Sequence, residues 1–264
     1  MIKSLYSGVS GMKNHQIRMD VIGNNIANVN TTAFKAGRVN FKDTLSQLIS
    51  YNSGAGQGSN KANQVGSGMT LAGIDNIFTQ GGLVATGRET DLAIQGNGYF
   101  AVQSQNEDGD EVIYYTRDGS FYINEEDGEG YLVNSLGYNV LNVDGEPIRL
   151  ELPINSININ RDGKIFVNSE DTGEVIGLKQ FDNQGELIKQ GSNLYIYPGE
   201  DESGLGTPGS DGLGTIEACN LEMSNVDLTN EFSNMIITQR GYQANSRVIT
   251  VSDEMLQELL NLKR

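Results

Sequence analysis

The sequence predicts an α+β protein in which two terminal α-helices pair as a coiled coil and an all-β domain is inserted between them. Near both ends of the chain, apolar side chains recur at alternating spacings of three and four residues, as in helices that lie along other helices. Between the ends, apolar and polar residues alternate and Asp-Gly pairs divide them, which indicates short strands joined by turns. The predicted boundaries are an N-terminal helix at 1–30, a connector at 31–70, a β domain at 71–220 and a C-terminal helix at 221–264.

The N-terminal helix is expected to run from Ile2 to about Val29, a length of about 40 Å. Its apolar seam consists of Ile2, Leu5, Val9, Met12, Met19, Ile22, Ile26 and Val29. Asparagines crowd the end of this helix, and asparagine ends helices well because it tolerates the left-handed conformation. These asparagines serve either as a C-terminal cap or in specific packing, and the sequence leaves both interpretations open.

Residues 31–70 show no clear hydrophobic period. The stretch 52–68 is rich in Gly, Ser, Asn and Gln, which is typical of an extended or flexible connector. From residue 71 to about residue 220 the period is two, which predicts a sandwich or an irregular barrel of short strands. Within this domain, the sequence Gly-Asn-Gly at 96–98 predicts a hairpin between strands at 92–95 and 99–103.

The C-terminal helix is expected to begin after an N-cap at Ser224, Asn225 or Asp227. Its seam consists of Leu228, Phe232, Met235, Tyr242, Ile249, Leu256 and Leu260, with a polar break at Asp253. Neither terminal seam is apolar enough to be buried by its own helix alone. Two half-polar helices at opposite ends of the chain therefore predict a protein that assembles with other copies, and the residues of both seams are the candidate assembly interface.

Charge and composition exclude several function classes. The net charge is −16, which argues against nucleic acid and anionic membranes as partners. Residues 1–42 carry a net charge of +5, residues 221–264 carry −2 and residues 43–220 carry −19, so opposite charges suit apposition of the two ends. The sequence has no run of 18 apolar residues and no apolar stretch after Lys3, so neither membrane insertion nor a secretory signal peptide is expected.

Residues that could carry catalysis are sparse. His15 is the only histidine and is expected to be an ordinary residue of the helix surface. Cys219 is the only cysteine, and it either packs as a small side chain or cross-links two chains. The sequence GLGTPG at 204–209 matches a dinucleotide-binding pattern, but it lacks the strand and helix that such a site requires. The sequence therefore predicts no catalytic residue, no metal and no cofactor.

Several separated motifs resemble those of one family, the bacterial flagellar rod and hook proteins. These motifs are SGVSGM at 7–12, DVIGNNIANVNT at 20–31, FK at 34–35, TDLAIQGNGYF at 90–100, YTRDGSF at 115–121, EMSNVDL at 222–228 and TQRGYQAN at 238–245. The resemblance spans nearly the whole chain and is weakest at 50–68 and 145–215. Within the family, residues 225–228 and the C-terminal LLNLKR at 259–264 resemble hook subunits more than distal rod subunits.

The resemblance implies a structural subunit of the flagellar hook, in a short form with a single outer β domain. Such proteins leave the cell through the flagellar type III export apparatus without a cleaved signal and polymerise helically into a tube. The implied partners are further copies of the chain, the distal rod protein, the hook cap, the hook–filament junction protein and the export apparatus. A distal rod protein, whose length is similar, is the alternative within the family. An extracellular protein that binds or hydrolyses glycans through the β domain is the alternative from another class.

Overall fold

The structure is a computed structural model that describes residues 2–51, 62–105, 111–126, 128–154, 156–199, 204–210 and 212–262. It contains two long α-helices, twenty strands and one short 3₁₀-helix at Gln184–Glu186 within these residues. The helices are α1 (Ile2–Ala27) and α2 (Leu228–Leu262). The strands are β1 (Gly37–Asp43), β2 (Ser46–Tyr51), β3 (Ala62–Gly66), β4 (Met69–Asn76), β5 (Leu83–Ala85), β6 (Leu92–Gln95), β7 (Tyr99–Gln105), β8 (Glu111–Thr116), β9 (Tyr122–Glu126), β10 (Glu129–Val133), β11 (Asn139–Val140), β12 (Arg149–Glu151), β13 (Ile157–Ile159), β14 (Lys164–Val167), β15 (Glu170–Val175), β16 (Leu178–Lys179), β17 (Ile188–Gly191), β18 (Leu194–Ile196), β19 (Thr215–Ala218) and β20 (Asn220–Glu222).

The chain divides into two compact units, and each is discontinuous in sequence. The first, called the helical unit here, consists of Met1–Ala27, Ala36–Ile77 and Val226–Arg264. The second, called the β body, consists of Asn28–Lys35 and Phe78–Asn225. The α+β class predicted from the sequence is confirmed, with a helix at each end and strands between.

The helical unit combines the two long helices with two pairs of antiparallel strands. Strand β1 pairs with β4, and strand β2 pairs with β3. Helix α1 packs against both β1 and β4. Helix α2 begins directly after Asp227, whose carboxylate accepts a hydrogen bond from the Thr229 N–H at 2.9 Å. Asp227 is therefore the N-cap, and it satisfies a donor that the helix itself leaves unpaired.

Residues 31–70 differ from the expected extended or flexible connector where the structure describes them. Strands β1, β2 and β3 lie within this range, and β1 pairs with β4 from Gly37↔Asn76 to Asp43↔Met69. The sequence does not reveal these strands because their residues show no clear alternation of apolar and polar side chains. Strand β2 pairs with the next strand, β3, whereas β1 pairs with β4, which follows both of them in the chain. The chain leaves the helical unit after Ile77. The Gly/Ser-rich stretch at 52–61 lies outside the described residues.

The β body is built around one nine-stranded sheet. Its strands are ordered β12-β10-β11-β7-β8-β18-β17, with β16 also paired to β7 and β9 also paired to β10. A three-stranded sheet, β13-β14-β15, and two strand pairs, β19-β6 and β20-β5, complete the body. Aliphatic side chains from these strands form the main core around Phe100, Leu132 and Ile165. A second, aromatic core contains Tyr99, Tyr115, Phe181 and Tyr195.

The hairpin predicted at 96–98 is wrong. Strand β6 pairs with β19, whereas β7 pairs with β8, β11 and β16. The backbone groups of the turn are bonded to other segments: the Asn97 carbonyl accepts from Gly214 N–H at 2.7 Å, and Gly96 N–H donates to Gln80 Oε1 at 3.1 Å. The two glycines provide the positive φ angles needed for a sharp change of direction, but the chain passes from one sheet to another.

Candidate assembly surface

Helices α1 and α2 lie antiparallel along each other. Near one end, Ser4 Oγ lies 3.5 Å from Ser252 Oγ. Near the other end, the Arg18 guanidinium donates to Asn234 Oδ1 at 3.3 Å. Residue numbers thus rise along α1 as they fall along α2, which establishes the pairing of the terminal helices and its direction.

Three glycines allow the two helices to approach closely. A β-carbon at Gly8 would lie 3.2 Å from Ile249 Cγ1, and one at Gly11 would lie 2.7 Å from Asn245 Nδ2. On the opposite helix, a β-carbon at Gly241 would lie 2.8 Å from the His15 imidazole. At these three points the helices meet through small and polar side chains, with Ile249 as the apolar exception.

Three polar side chains buried in this unit have bonded partners. Thr238 and Ser252 are buried on α2, and their hydroxyls donate to the carbonyls of Asn234 and Val248, one turn earlier, at 2.7 Å each. Asn14 on α1 donates to the Met69 carbonyl of β4 at 2.7 Å. Because these groups are paired, their burial avoids the cost of stranded donors.

Asn25 resolves the question left open for the asparagines at the end of α1. Its side-chain amide donates to the Gly37 carbonyl at 2.9 Å and accepts from the Gly37 N–H at 2.9 Å. This reciprocal pair fixes the end of α1 to the start of β1. Asn28 acts locally instead, since its Oδ1 accepts from the Thr31 hydroxyl at 3.1 Å. Asn25 therefore has a packing role, and none of the described asparagines at 24–30 has the positive φ angle of a left-handed C-terminal cap.

His15 is not the ordinary surface residue that the sequence predicted. Its ring packs against Gly241 and meets the Phe41 ring edge-on at 6.3 Å between centroids. Its Nδ1 atom is buried and has no hydrogen-bond partner among the described residues. Burial and, to a lesser degree, the nearby Arg18 charge lower the pKa of His15. The missed signal is the absence of a side chain at Gly241, which makes room for an imidazole.

The residues of the predicted assembly interface lie at different depths. Of the fifteen, Ile22 is buried, the side chain of Ile2 lies outside the described part, and the half-buried ones are Leu5, Met12, Met19, Ile26, Val29, Met235, Ile249 and Leu256. The exposed ones are Val9, Leu228, Phe232, Tyr242 and Leu260. Val29 belongs to the β body and the other fourteen belong to the helical unit.

A second apolar stripe on α2 was missed by the sequence analysis. Its large side chains are exposed and recur at spacings of three and four: Val248, Val251, Met255, Leu259 and Leu262. Ile236 and Ile237 are also exposed nearer the start of the helix. The three-and-four spacing of these residues is visible in the sequence beside the predicted seam, but polar residues between them made it hard to recognise. Together the two stripes leave α2 with apolar side chains that no described residue of this chain covers fully.

The last part of α2 extends past the end of α1. Because Ser252 lies opposite Ser4 and α1 begins two residues earlier, at Ile2, the residues from Met255 to Leu262 continue beyond the start of α1. At about 1.5 Å per residue, this overhang is about 12 Å long. It includes Met255, Leu259, Leu260 and Leu262, all exposed.

Three family models match this chain in the order of its segments. One is described as flagellar basal body rod protein and matches residues 5–35. The second, the flagellar hook protein FlgE/F/G D1 domain, matches residues 93–167. The third, the flagellar basal body rod FlgEFG protein C-terminal, matches residues 218–262. The N-terminal match covers most of α1, the central match lies in the β body, and the C-terminal match contains α2.

Full-length relatives agree with these matches. The chain is 47% identical to the flagellar basal-body rod protein FlgG of Bacillus subtilis, over 100% of both chains. It is 39% identical to the protein of the same name from Borreliella burgdorferi, again over 100% of both. The chain belongs to the flagellar rod and hook protein family. A flagellar hook protein FlgE from Borreliella burgdorferi is also similar, at 28% identity over 446 aligned positions.

Membership of a family of structural flagellar components does not favour the alternative of a glycan-binding or glycan-hydrolysing protein. A cavity of about 420 Å³ on the β body is lined by Glu129, Arg149, Leu150, Glu151, Leu152, Pro153, Val167, Asn168, Glu170, Asp171, Thr172 and Glu174. The described residues of this lining include no aromatic side chain on which a sugar could stack, but a second cavity of about 370 Å³ on the β body includes Phe166. No group of three or more His, Cys, Asp or Glu residues in the described ranges could hold a metal ion. None of the helices described is both long and apolar enough to cross a membrane.

Proposed function

We propose that this protein is a subunit of the flagellar rod, in which copies polymerise helically into a tube through their terminal helices. The observation that carries the proposal is the full-length agreement with rod proteins, at 47% identity over 100% of both chains. The alignment with the Borreliella hook protein needs 446 positions, although this chain has 264 residues. That hook protein therefore carries sequence with no counterpart here, and the rod is favoured over the hook assignment that the sequence alone suggested.

Exposed apolar side chains on the helices support polymerisation. Phe232 is 51% exposed and Leu260 is 69% exposed in the single chain. Covering one such half-exposed side chain contributes on the order of 1 kcal/mol, because fully burying it contributes about 1.5–3 kcal/mol. Several of these contacts in each subunit would support a stable polymer. We therefore retain the fifteen residues of the two seams as the proposed interface and add the second stripe of α2.

Electron microscopy of the purified protein under polymerising conditions tests the proposal. A rod subunit is expected to form straight tubes. Curved tubes would favour the hook instead, and monomers that stay dispersed at high concentration would contradict the proposed polymer. Limited proteolysis gives a parallel test, because terminal helices that neighbours cover should be cleaved more slowly in tubes than in monomers.

The hook remains the second candidate because of one strong local similarity. The chain is 50% identical to the flagellar hook protein FlgE of Treponema pallidum over 136 residues, which is 51% of this chain and 28% of that one. Expression in two bacterial strains, one lacking its rod protein and one lacking its hook protein, separates the two candidates. Restored motility only in the strain without rod protein supports the rod, and restoration only in the other strain overturns it.

We further propose that the subunit reaches its place through the flagellar type III export apparatus and lies in the basal body. Its neighbours would then be further copies of itself and the hook protein that continues the tube. Secretion of the full chain by a flagellated host, and its loss in a host without the export apparatus, tests this route.

A further inference from the structure

Three charged side chains meet in the interior of the β body. Lys35, Arg117 and Glu222 are each at most 3% exposed. The Lys35 ammonium lies 2.6 Å from Glu222 Oε1, and the Arg117 guanidinium lies 3.3 Å from Glu222 Oε2. One carboxylate thus pairs with two cations in a place that water does not reach, where an unpaired charge is costly.

The remaining polar atoms of this cluster are largely paired with backbone. Gly81 N–H donates to Glu222 Oε1 at 2.8 Å, and Lys35 Nζ donates to the Thr79 carbonyl at 2.9 Å. The Arg117 guanidinium donates to the Gly96 carbonyl at 2.7 Å. Burial lowers the pKa of Lys35, and the Glu222 carboxylate acts in the opposite direction. Glu222 is therefore the residue on which the charge balance of the cluster depends.

The cluster joins segments that are remote in sequence. Lys35 lies shortly after α1, Glu222 lies shortly before α2, and Arg117 follows strand β8. These residues come from three of the motifs that resemble the flagellar family, at 34–35, 115–121 and 222–228, and Gly96 comes from a fourth, at 90–100. Three motifs from separate parts of the sequence thus meet at one buried carboxylate, and the fourth is bonded to the Arg117 guanidinium.

Backbone hydrogen bonds at the same place tie the two helix-adjoining segments together. Ala33 N–H donates to the Glu222 carbonyl at 2.8 Å, and Asn225 N–H donates to the Phe34 carbonyl at 3.3 Å. The hydrophobic cores of the body, which contain Phe100 and Tyr195, include no residue of 28–35 or 220–225. These two segments are therefore held by the charged cluster, by hydrogen bonds and by the β20–β5 pairing, and the buried Ala33 and Phe34 lie outside the two hydrophobic cores.

We propose that Lys35, Arg117 and Glu222 form a latch that holds both helix-adjoining segments, 28–35 and 220–225, on the β body, and that this latch opens locally while the cores remain folded. Local opening is expected of segments that lie outside the hydrophobic cores, whereas the cores open only with the whole body. The latch is a property of the single chain. It does not rest on the proposed rod function, and failure of either proposal leaves the other standing.

Hydrogen exchange followed by mass spectrometry on the full chain tests the latch. Glu222→Gln removes the shared carboxylate and leaves two buried cations facing each other. We expect peptides containing the amides of Ala33 and Asn225 to exchange on the order of 100-fold faster, as for loss of one partner of a buried ion pair. A peptide containing the Ile148 amide, which bonds the Val140 carbonyl in the main core, is expected to keep its wild-type rate.

A matched control and a milder variant complete the experiment. Glu129→Gln removes an ion pair with Arg149 on the surface, where the Arg149 side chain is 59% exposed and the Glu129 side chain is 52% exposed. Because exposed pairs contribute little to stability, this variant should leave all exchange rates near wild type. Lys35→Met keeps the Glu222–Arg117 pair, and it should accelerate the same two segments by a smaller factor. Equal acceleration of core and segments in both variants, or no acceleration in either, would overturn the latch.

Discussion

Gly11 of α1 faces Asn245 of α2 so closely that a β-carbon at position 11 would lie 2.7 Å from the Asn245 amide nitrogen. The Asn245 amide in turn donates to the Gly241 carbonyl of its own helix at 3.1 Å. The missing side chain on α1 thus makes room for a polar side chain on α2. The helix pair depends on small residues at defined positions, which makes it sensitive to substitutions that add very little volume.

Gly11→Ala should destabilise the helical unit. Overpacking costs about 1–3 kcal/mol, which exceeds the gain of about 0.5–1 kcal/mol from replacing a helical glycine by alanine. Gly23→Ala in the same helix is the matched control, because a β-carbon there would meet nothing within 4 Å and should stabilise by about 0.5–1 kcal/mol. Denaturant unfolding followed by the helical circular dichroism signal measures both. The same sign for both variants would contradict the glycine contact.

The stability of the helical unit should fall as the pH drops through the titration range of His15. Burial and the Arg18 charge lower the pKa of His15 below 6.5, so the native state favours the neutral imidazole. His15 therefore contributes its full share of stability at pH values above its pKa in the unfolded chain. This contribution is lost as the pH falls from that pKa through the lower pKa of the folded state. Unfolding of wild type and His15→Gln at about pH 8 and about pH 5 measures the difference. The loss on acidification should be smaller in His15→Gln, and equal losses would refute the role of this imidazole.

Phe232→Asp should abolish assembly without unfolding the single chain. Phe232 is exposed, so a charge there costs little in the monomer, but burial of that charge by a neighbouring copy would be expensive. Ser233→Asp adds the same charge at the adjacent exposed position and should retain assembly. Sedimentation of tubes measures assembly, and circular dichroism checks the fold. Loss of the β signal in Phe232→Asp, or equal assembly of both variants, would count against the proposed surface.

Tyr195→Phe should leave the β body as stable as wild type or make it more stable. The Tyr195 hydroxyl is buried without a hydrogen-bond partner among the described residues, and burial raises the pKa of this phenol. Removing an unsatisfied buried hydroxyl relieves a desolvation cost on the order of 1 kcal/mol. Tyr131→Phe loses the exposed bond to Glu129 and should change stability by less than about 0.5 kcal/mol. Thermal unfolding measures the stability of both variants. A clear loss of stability in Tyr195→Phe would contradict the prediction, because it would show that the Tyr195 hydroxyl has a hydrogen-bond partner.

The sequence predicted the terminal helices and the strands between them because these features have local periods. It did not reveal which faces of the helices meet. The apolar seam was the strongest periodic signal, but α1 and α2 also approach each other closely at Gly8, Gly11 and Gly241. Glycine has no side chain and does not contribute to an apolar period. A pattern of apolar spacing therefore cannot reveal the points at which glycines let two helices approach each other.

Non-local pairing accounts for the other differences. The β1–β4 pair and the β6–β19 pair join residues far apart in sequence, and Asn-Gly at 97–98 suggested a local hairpin instead. The buried Lys35–Glu222 pair was equally invisible, because a charged residue normally predicts an exposed position. Its members lay within the motifs already singled out, but neither their burial nor their meeting could be deduced from spacing.

The overhang of α2 has a mechanical consequence for a tube built from these subunits. Helix α1 has 26 residues and α2 has 35, so the two ends of the pair are staggered rather than flush. In such a tube, staggered subunits would overlap, and the helix of one subunit would span the junction between two others. A shearing force would then be distributed over several subunits, because no plane of subunit boundaries would cross the tube without meeting a helix.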